Sequence, residues 1–546
     1  MTENSFPRVA YFCMEYGLDE KFKIYAGGLG ILAGDILKTA RELDYPLVGI
    51  GILWRRGYTS QYIGEDNCPY DKFPANDYMY DYLEDTGVTF NLNIEGQITK
   101  IKVWKLDRLN NAPLYLLDTN LPENGETKKF TERLYAGNKH ERIAQEMILG
   151  IGGIKALREL NIEPDVYHFN EGHAVLAGTE LIRELMKEGW SFSEAWEEIR
   201  EKIVFTTHTP VREGNEEHSL DLLQQLGAFN GLSRQQMRNI GGSPFNMTVA
   251  GLRLARDANG VAILHGETSR KMWANINNRA PIRAITNGIN RSTWTSKKII
   301  TAYHNEKGLE KAHLELKQEL LDFINQKTGK NLAQDKLLIG FARRAATYKR
   351  PDLIFRRPEV IEPLLEEGKL QLVFAGKAHP GDEKGKNIIA HLVHMSKKFP
   401  DSVVFLENYD MKIGKLMTSG VDVWLNNPRK PLEASGTSGM KAAMNGVLNF
   451  SILDGWWPEI CDHGVNGWQF GDGYMGENQD QHDLNHLYQV LLEEIIPCYY
   501  GDKSRWLKIM RNSIRTTINR YSATRMLEDY YQEMYIESND MVKNIV

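Results

Sequence analysis

The stretch "KLLIGFARR" at 336–344, followed by "KRPDLIFRRPEVIEPLLEEG" at 349–368, decides the fold. The first is a short apolar run of the kind that forms a strand buried on both faces. The second spaces its apolar residues at helical intervals and closes on a glycine. The same pairing recurs downstream in "LQLVFAGKAHP" (370–380), "DSVVFLENYD" (401–410) with "MKIGKLMTSG" (411–420), and "VDVWLNNP" (421–428). It recurs upstream in "YPLVGIGILW" (45–54), "PDVYHFN" (164–170) with "EGHAVLAGTELIRELMKEG" (171–189), and "KIVFTTHTP" (202–210). Strands alternating with helices imply βαβ units and largely parallel sheets, so the class is α/β.

A chain of 546 residues is too long for one core, and at least two domains are expected. The two sets of βα units are separated by the polar, helical stretch 296–330, and the turn "TNGIN" (286–290) comes just before it. The boundary is therefore placed near 285, giving domains 1–285 and 286–546. Two such domains facing each other would leave a deep cleft, with ligands at the carboxyl ends of the strands. The tail "YSATRMLEDYYQEMY" (521–535) reads as a terminal amphipathic helix, free to pack back on the first domain.

Lys and Arg total 66 against 72 Asp and Glu, a balance that leaves no global basic field to gather nucleic acid. Any anion site must be local. The start of the chain lacks a basic region followed by an apolar core, and no run is long enough for a membrane span, so a cytoplasmic protein is expected. Cys13, Cys68, Cys461 and Cys498 are scattered, without the paired spacing of a zinc site or disulfide framework, and no metal is expected.

Three constellations point to anions. Gly27, Gly28 and Gly30 precede a helix, where backbone N–H groups can approach an anion or where helix and strand simply pack closely. Arg343, Arg344, Lys349 and Arg350 cluster at a strand-to-helix junction and suit two adjacent phosphates, although a charge run is more often a solvated face. The third is "EASGTSGMK" (433–441), whose Ser435, Gly436, Thr437, Ser438 and Gly439 can present donors at a helix start. Lys441, expected in the first turn of that helix, would carry an unfavourable charge and a depressed pKa. A neutral amine can form a Schiff base with an aldehyde, and an aldehyde bearing a phosphate, such as pyridoxal phosphate, would satisfy both features. A capped helix with a snorkelling lysine is the plainer alternative. Asn170, Glu171 and His173 in "HFNEGH", and His208 in "FTTHTP", are polar strand ends that serve structure or chemistry equally well.

Together these pieces resemble the α-glucan phosphorylases, the glycogen, starch and maltodextrin family. The family's signature around its cofactor lysine reads EASGTGNMK, and seven of nine positions agree. The "GGLG" turn, "FTTHTP", "TNGIN" with Trp294 after it, the "RR" then "YKR" block and "FLENY" follow in the family's order, from about residue 8 to at least 475. The resemblance implies a GT-B architecture: two Rossmann-like domains around a cleft. It implies reversible phosphorolysis of terminal α-1,4-linked glucose to glucose 1-phosphate with retained configuration, the cofactor's 5′-phosphate assisting proton transfer. By the same resemblance Lys441 is the Schiff-base lysine for pyridoxal 5′-phosphate, with the Thr437 and Ser438 backbone and Arg343 at the cofactor phosphate. Arg344 and Lys349 match the pair that holds substrate phosphate, and Gly28, beside Gly27 in the Gly-rich turn, lends its N–H. His208 matches the histidine at the glucosyl unit; Asn287, Glu433, Ser435 and Gly436 match residues that hold sugar hydroxyls. Tyr409 and Trp294 resemble aromatic neighbours of the cofactor, and Glu171 and His173 a pair behind the site. Expected partners are α-1,4-glucan or maltodextrin, inorganic phosphate and glucose 1-phosphate, and the family favours homodimers.

The pattern departs at Ser438 and Gly439, where the family has glycine and asparagine, and at the alanines between Arg344 and Tyr348. The chain is also much shorter than regulated animal members, and little or no AMP activation is expected. The nearest rival is a glycogen or starch synthase-like transferase using a sugar nucleotide. A catalytically silent glucan-binding protein is a third reading, suggested only by the 11 Trp and 24 Tyr.

Overall fold

Leu337–Ala342 is buried along its whole length in a six-stranded, all-parallel sheet. The order is Val403–Leu406, Leu370–Ala375, Leu337–Ala342, Val423–Asn426, Leu448–Ile452, Trp468–Phe470. Successive strands first add on one side of Leu337–Ala342 and then on the other. The order therefore reverses between Leu337–Ala342 and Val423–Asn426, and at such a point the loops leaving the carboxyl ends diverge and open a crevice.

A second sheet has nine strands, in the order Ile282–Ala284, Asp257–Gly260, Ile203–Thr206, Val166–Asn170, Val9–Phe12, Leu47–Ile52, Leu114–Asp118, Gln97–Leu106, Glu84–Ile94. Seven are parallel; the last two form an antiparallel hairpin on the edge. Its turn is Glu95-Gly96, both at positive φ, the backbone that a two-residue hairpin turn demands. Here the reversal falls between Val9–Phe12 and Val166–Asn170.

The computed structural model describes residues 6–135, 137–211 and 214–536, and the chain divides into two compact units. The first holds the nine-stranded sheet and takes the chain up to Tyr58, Phe73–Thr286, and from Ala523 onward. The second holds the six-stranded sheet and takes Thr59–Lys72 and Asn287–Ser522. The tail is stitched into the first unit's core by Met526, Leu527, Tyr530 and Tyr535, with the Tyr535 hydroxyl 2.6 Å from His168 Nδ1. The hairpin Ser60–Ile63/Pro69–Lys72 is held in the second unit through Gln61, which exchanges two hydrogen bonds with the Ala378 backbone. Among the described residues no helix is long and apolar enough to cross a membrane.

The polar helix Glu306–Thr328 is anchored on the six-stranded sheet by a buried charge network. Lys317 Nζ lies 2.5 Å from Asp422 Oδ2 and donates to the Lys336 carbonyl, while His313 Nε2 is 2.9 Å from Asp422 Oδ1. Burial pushes the Asp422 carboxyl up, but Lys317 and His313 outweigh it and hold the group below its usual range. Removing one member of such a pair strands the other without water. Asp422→Ala is therefore expected to cost about 3–5 kcal/mol in the unfolding transition of the second unit, read by calorimetry. The double replacement Lys317→Met/Asp422→Leu should recover only part of that loss, because the His313 imidazole and the Leu338 N–H also lose Asp422 as their partner.

Candidate active site

Arg343 is the first residue beyond Leu337–Ala342, and Asn426 ends the strand on the other side of the reversal. Their meeting is a direct result of strand order. The Arg343 guanidinium donates to Asn426 Oδ1 and, at 2.6 Å, to Glu433 Oε2. Lys349 Nζ approaches the same carboxylate oxygen at 3.6 Å. Arg343, Lys349 and Glu433 are each 8% exposed. Burial pushes the Lys349 amine down to about 7, Arg343 adds repulsion, and Glu433 offsets part of both. Burial acts oppositely on Glu433, yet Arg343 and Lys349 hold its carboxyl below the usual range. Two buried cations thus share one carboxylate, and Arg344 lies exposed beside the Tyr348 hydroxyl. The local excess is positive, which suits a phosphate.

Arg350 does not join that cluster. Its side chain is fully buried and its guanidinium is spent on the Asn427 and Pro428 carbonyls and on Asp480 and Asp483. Its expected share in holding phosphate is corrected accordingly.

Glu433 begins the loop that leads into helix Thr437–Met444. Asp454, which sequence reasoning missed, fixes the loop by accepting from the Glu433 N–H at 2.9 Å, and Trp456 N–H donates to the Ser435 carbonyl. Ser435 Oγ is buried with no hydrogen-bond partner among the described residues. Gly436 precedes the helix at φ +89, a left-handed conformation favouring glycine, and no side chain caps the helix start. Its first N–H groups keep the capacity to bind an anion.

Lys441 is the fifth of the eight helical residues, in the last turn rather than the first. The helix dipole there favours a cation, so the expectation of an electrostatically misplaced lysine is overturned. What sets its place is Trp294, whose ring centroid lies 3.3 Å from Lys441 Nζ. Asn445, fully buried, donates to both the Trp294 and Lys441 carbonyls and accepts from the Ser296 N–H, tying ring and lysine together. Tyr409 packs near Arg343, with its phenol pushed up to about 12 by burial. Asn287 is buried in the turn that joins Tyr521 through the Ile289 N–H; Tyr521 in turn stacks edge-on to Trp456, 4.7 Å away.

The two departures in the 433–441 stretch meet different neighbours. A Cβ on Gly439 would lie 2.6 Å from Asn449 Oδ1 and 3.0 Å from Trp456 Nε1, so these neighbours already fill the space an asparagine would need. Ser438 Oγ accepts from Trp424 Nε1. Ala345, similarly, packs in a small cluster with Ala378, Ile389 and Val393.

In the first unit, Glu15 lies just past the central strand Val9–Phe12 and supports the Gly-rich turn. Its Oε2 accepts from the Ala26 and Gly27 N–H groups at 2.6 and 3.0 Å, and its Oε1 from the Tyr135 hydroxyl at 2.7 Å. The Gly27 N–H is thereby committed within the fold. A Cβ on Gly27 or Gly28 would meet nothing within 4 Å, whereas one on Gly30 would strike Glu15 and Tyr25. Gly30 serves packing; Gly27 and Gly28 leave open space at the start of helix Gly28–Glu42.

Glu171, at the end of Val166–Asn170, holds φ +76, a strained conformation for a side-chain-bearing residue. Its carboxylate accepts from the His208 and Gly172 N–H groups and the Thr209 hydroxyl. His208 Nε2 lies 2.7 Å from Asn170 Oδ1, and burial drives its pKa down to about 3, as it does for His173. Both rings are neutral at physiological pH, so His208 is a hydrogen-bonding group and no proton reservoir. Behind them Arg142 pairs with Glu216 at 3.0 Å, and Glu146 with His218 at 2.8 Å. Glu146, Glu216 and His218 are close enough to ligate a cation, but Arg142 already supplies one.

Residues 253–494 match the family model described as carbohydrate phosphorylase. The chain is 37% identical to the maltodextrin phosphorylase of Thermococcus litoralis, over 96% of this chain and 70% of that protein. It is 34% identical to the glycogen phosphorylase of Aquifex aeolicus, over 96% and 86%. An uncharacterized protein of Methanocaldococcus jannaschii is 35% identical over 96% and 99%.

Because Lys349 sits near half-protonation, an anion that binds beside it must draw in a proton. Sulfate, whose own charge is constant between about pH 6 and 9, is expected to bind with net proton uptake and to weaken as pH rises above about 7. Calorimetry in buffers of different ionisation enthalpy measures the uptake. Lys349→Arg, charged throughout, should flatten the dependence.

Proposed function

The chain belongs to the carbohydrate phosphorylase family, and from this premise we infer that it cleaves terminal α-1,4-linked glucose from glucans or maltodextrins with inorganic phosphate, releasing glucose 1-phosphate. The reaction is reversible and retains the anomeric configuration. The single observation that carries the reading is the buried cation excess at the strand-order reversal, Arg343 and Lys349 about one Glu433. That excess fits a reaction in which phosphate is the nucleophile.

Pyridoxal 5′-phosphate fits the residues present. The uncapped start of helix Thr437–Met444 and the Lys441 amine against Trp294 are the groups that would hold it, with Arg343 and Tyr409 beside them. Bound through Lys441, it supplies a second phosphate able to exchange a proton with the substrate phosphate.

The rest falls to the protein's own side chains. Arg344 and Lys349 hold the substrate phosphate, which protonates the leaving glycosidic oxygen and then stands as an anion beside the cation-like glucosyl centre. As the phosphate arrives its charge raises the Lys349 pKa and keeps the amine cationic. Glu433, held ionised by Arg343, is unsuited as an acid; with Ser435, Gly436 and Asn287 it holds sugar hydroxyls. The site thus needs no pair of catalytic carboxylates. Neutral His208 can accept from a hydroxyl, and the open Gly27–Gly28 turn can lie against a ligand. No observation favours a sugar-nucleotide transferase.

Borohydride treatment should fix the cofactor's mass on the peptide carrying Lys441, and maltodextrin should yield glucose 1-phosphate only when phosphate is present. An unlabelled protein that releases no glucose 1-phosphate overturns the reading. Replacing Lys441 with alanine should abolish both signals. Gly28→Ala separates binding from folding: the added methyl has room and favours the helix, so the melting temperature should hold or rise slightly. Phosphorolysis should nevertheless fall about tenfold or more through lost close approach.

A further inference from the structure

Arg350 has no place in the chemistry above, yet its guanidinium is committed to four partners. It is fully buried and holds φ +46, a left-handed backbone that a β-carbon disfavours. It follows Lys349 directly, so whatever fixes Arg350 fixes the backbone that carries the phosphate-facing amine.

The partners of Arg350 lie on two other segments. From the loop after Val423–Asn426 come the Asn427 carbonyl, 2.9 Å from Nε, and the Pro428 carbonyl, 2.8 Å from one terminal nitrogen. Asn427 answers by donating from Nδ2 to the Arg350 carbonyl at 2.8 Å, and the Arg429 N–H donates to the Tyr348 carbonyl at 2.7 Å. From the first two turns of helix Gln479–Val490 come Asp483, 2.7 Å away, and Asp480, 2.9 Å away. Asp480 also receives Arg429 and Arg356, which places three arginines on one carboxylate. Its carboxyl is held down to about 2 as a result, against the pull of burial.

We propose that Arg350 is a positioning residue, the clasp that locks the loop bearing Arg343, Arg344 and Lys349 to the loop bearing Glu433, and so sets the spacing of the cations that receive phosphate. The proposal rests on the phosphorylase reading of this site. The planar fork matters as much as the charge: Nε and one terminal nitrogen grip adjacent carbonyls of one loop while the terminal nitrogens reach both aspartates. Lysine carries the charge but offers a single donor centre, so it cannot span these partners. Loosening the clasp lets Lys349 and Glu433 drift apart, which weakens phosphate recognition before it touches the cofactor lysine on helix Thr437–Met444.

The test compares holoenzyme carrying Arg350→Lys, and the milder Asp483→Asn, with wild type well below their melting temperatures. Three readouts are taken: KM for phosphate against KM for maltodextrin and kcat, sulfate affinity by calorimetry, and the pH midpoint of sulfate binding. The expected result for Arg350→Lys is a KM for phosphate raised about tenfold to a hundredfold. Sulfate should weaken in parallel and its pH midpoint should move, while cofactor absorbance and KM for maltodextrin hold. Asp483→Asn should shift the same quantities in the same direction by less. A variant that only melts earlier, with phosphate KM, sulfate affinity and pH midpoint unchanged, overturns the proposal, and so does a uniform fall in activity per molecule with both KM values intact. The sulfate measurements need no turnover; a wild type that binds sulfate but releases no glucose 1-phosphate refutes the phosphorylase reading alone.

Discussion

The contact between Arg343 and Glu433 is the one on which the second unit's chemistry turns. A buried ion pair adds little to stability, since the cost of stripping water from both partners consumes most of its attraction. Its value lies in location. The reversal of strand order leaves two loops with no neighbouring strand between them, and this pair joins them at the floor of the gap. Lys349 then arrives as a second cation on a carboxylate that can neutralise one. Asn426 and Asp454 hold the two ends of the arrangement, the first through the guanidinium and the second through the Glu433 backbone.

The first unit uses the same topological point for a different electrostatic character. Glu15 and Glu171 are turned inward onto backbone N–H groups, and His173 and His208 are held neutral by burial. One unit accumulates charge of the kind that suits a phosphate; the other offers uncharged hydrogen-bonding groups of the kind that suit a sugar. The strain at Glu171 belongs to this scheme, because its conformation lets one side chain hold both the His208 and the Gly172 backbone.

Much of this was legible in the sequence because strand ends are legible. Apolar runs such as 337–342 and 423–426 announce buried parallel strands, and the polar residues that follow them fall at the carboxyl ends by construction. Arg343, Lys349 and Glu433 were accessible in that way or through the motif around Lys441, and Trp294 only through the family resemblance at the TNGIN turn. The sense of the Lys441 helix was not, because the start at Thr437 depends on Gly436 adopting a left-handed turn, which moves the lysine into the last turn. Nor was the fate of Arg350, since a run of cations does not say which one turns inward; the acidic pair Asp480 and Asp483, 130 residues downstream, decides it. Glu15 and Asp454 did leave a signal, each a carboxylate just past a strand at or near a reversal, but their partners are backbone groups that carry no sequence mark or, for Glu15, a tyrosine 120 residues away. The edge hairpin 84–106 turns at Glu95-Gly96, which lacks the Asn-Gly or Asp-Gly pair that marks such a turn in a sequence.

The path of the chain has one more consequence. It passes between the two units at 58/59, 72/73, 286/287 and 522/523, so neither unit is a continuous segment of the gene. Recombination that exchanged a whole unit between two relatives would need several coordinated breakpoints, and a single crossover would leave a hairpin or a tail without its partner surface. The hairpin 59–72 and the tail beyond 523 thereby bind the inheritance of the two units together: substitutions in one are selected in the presence of the other, and the pair evolves as a single locus of function.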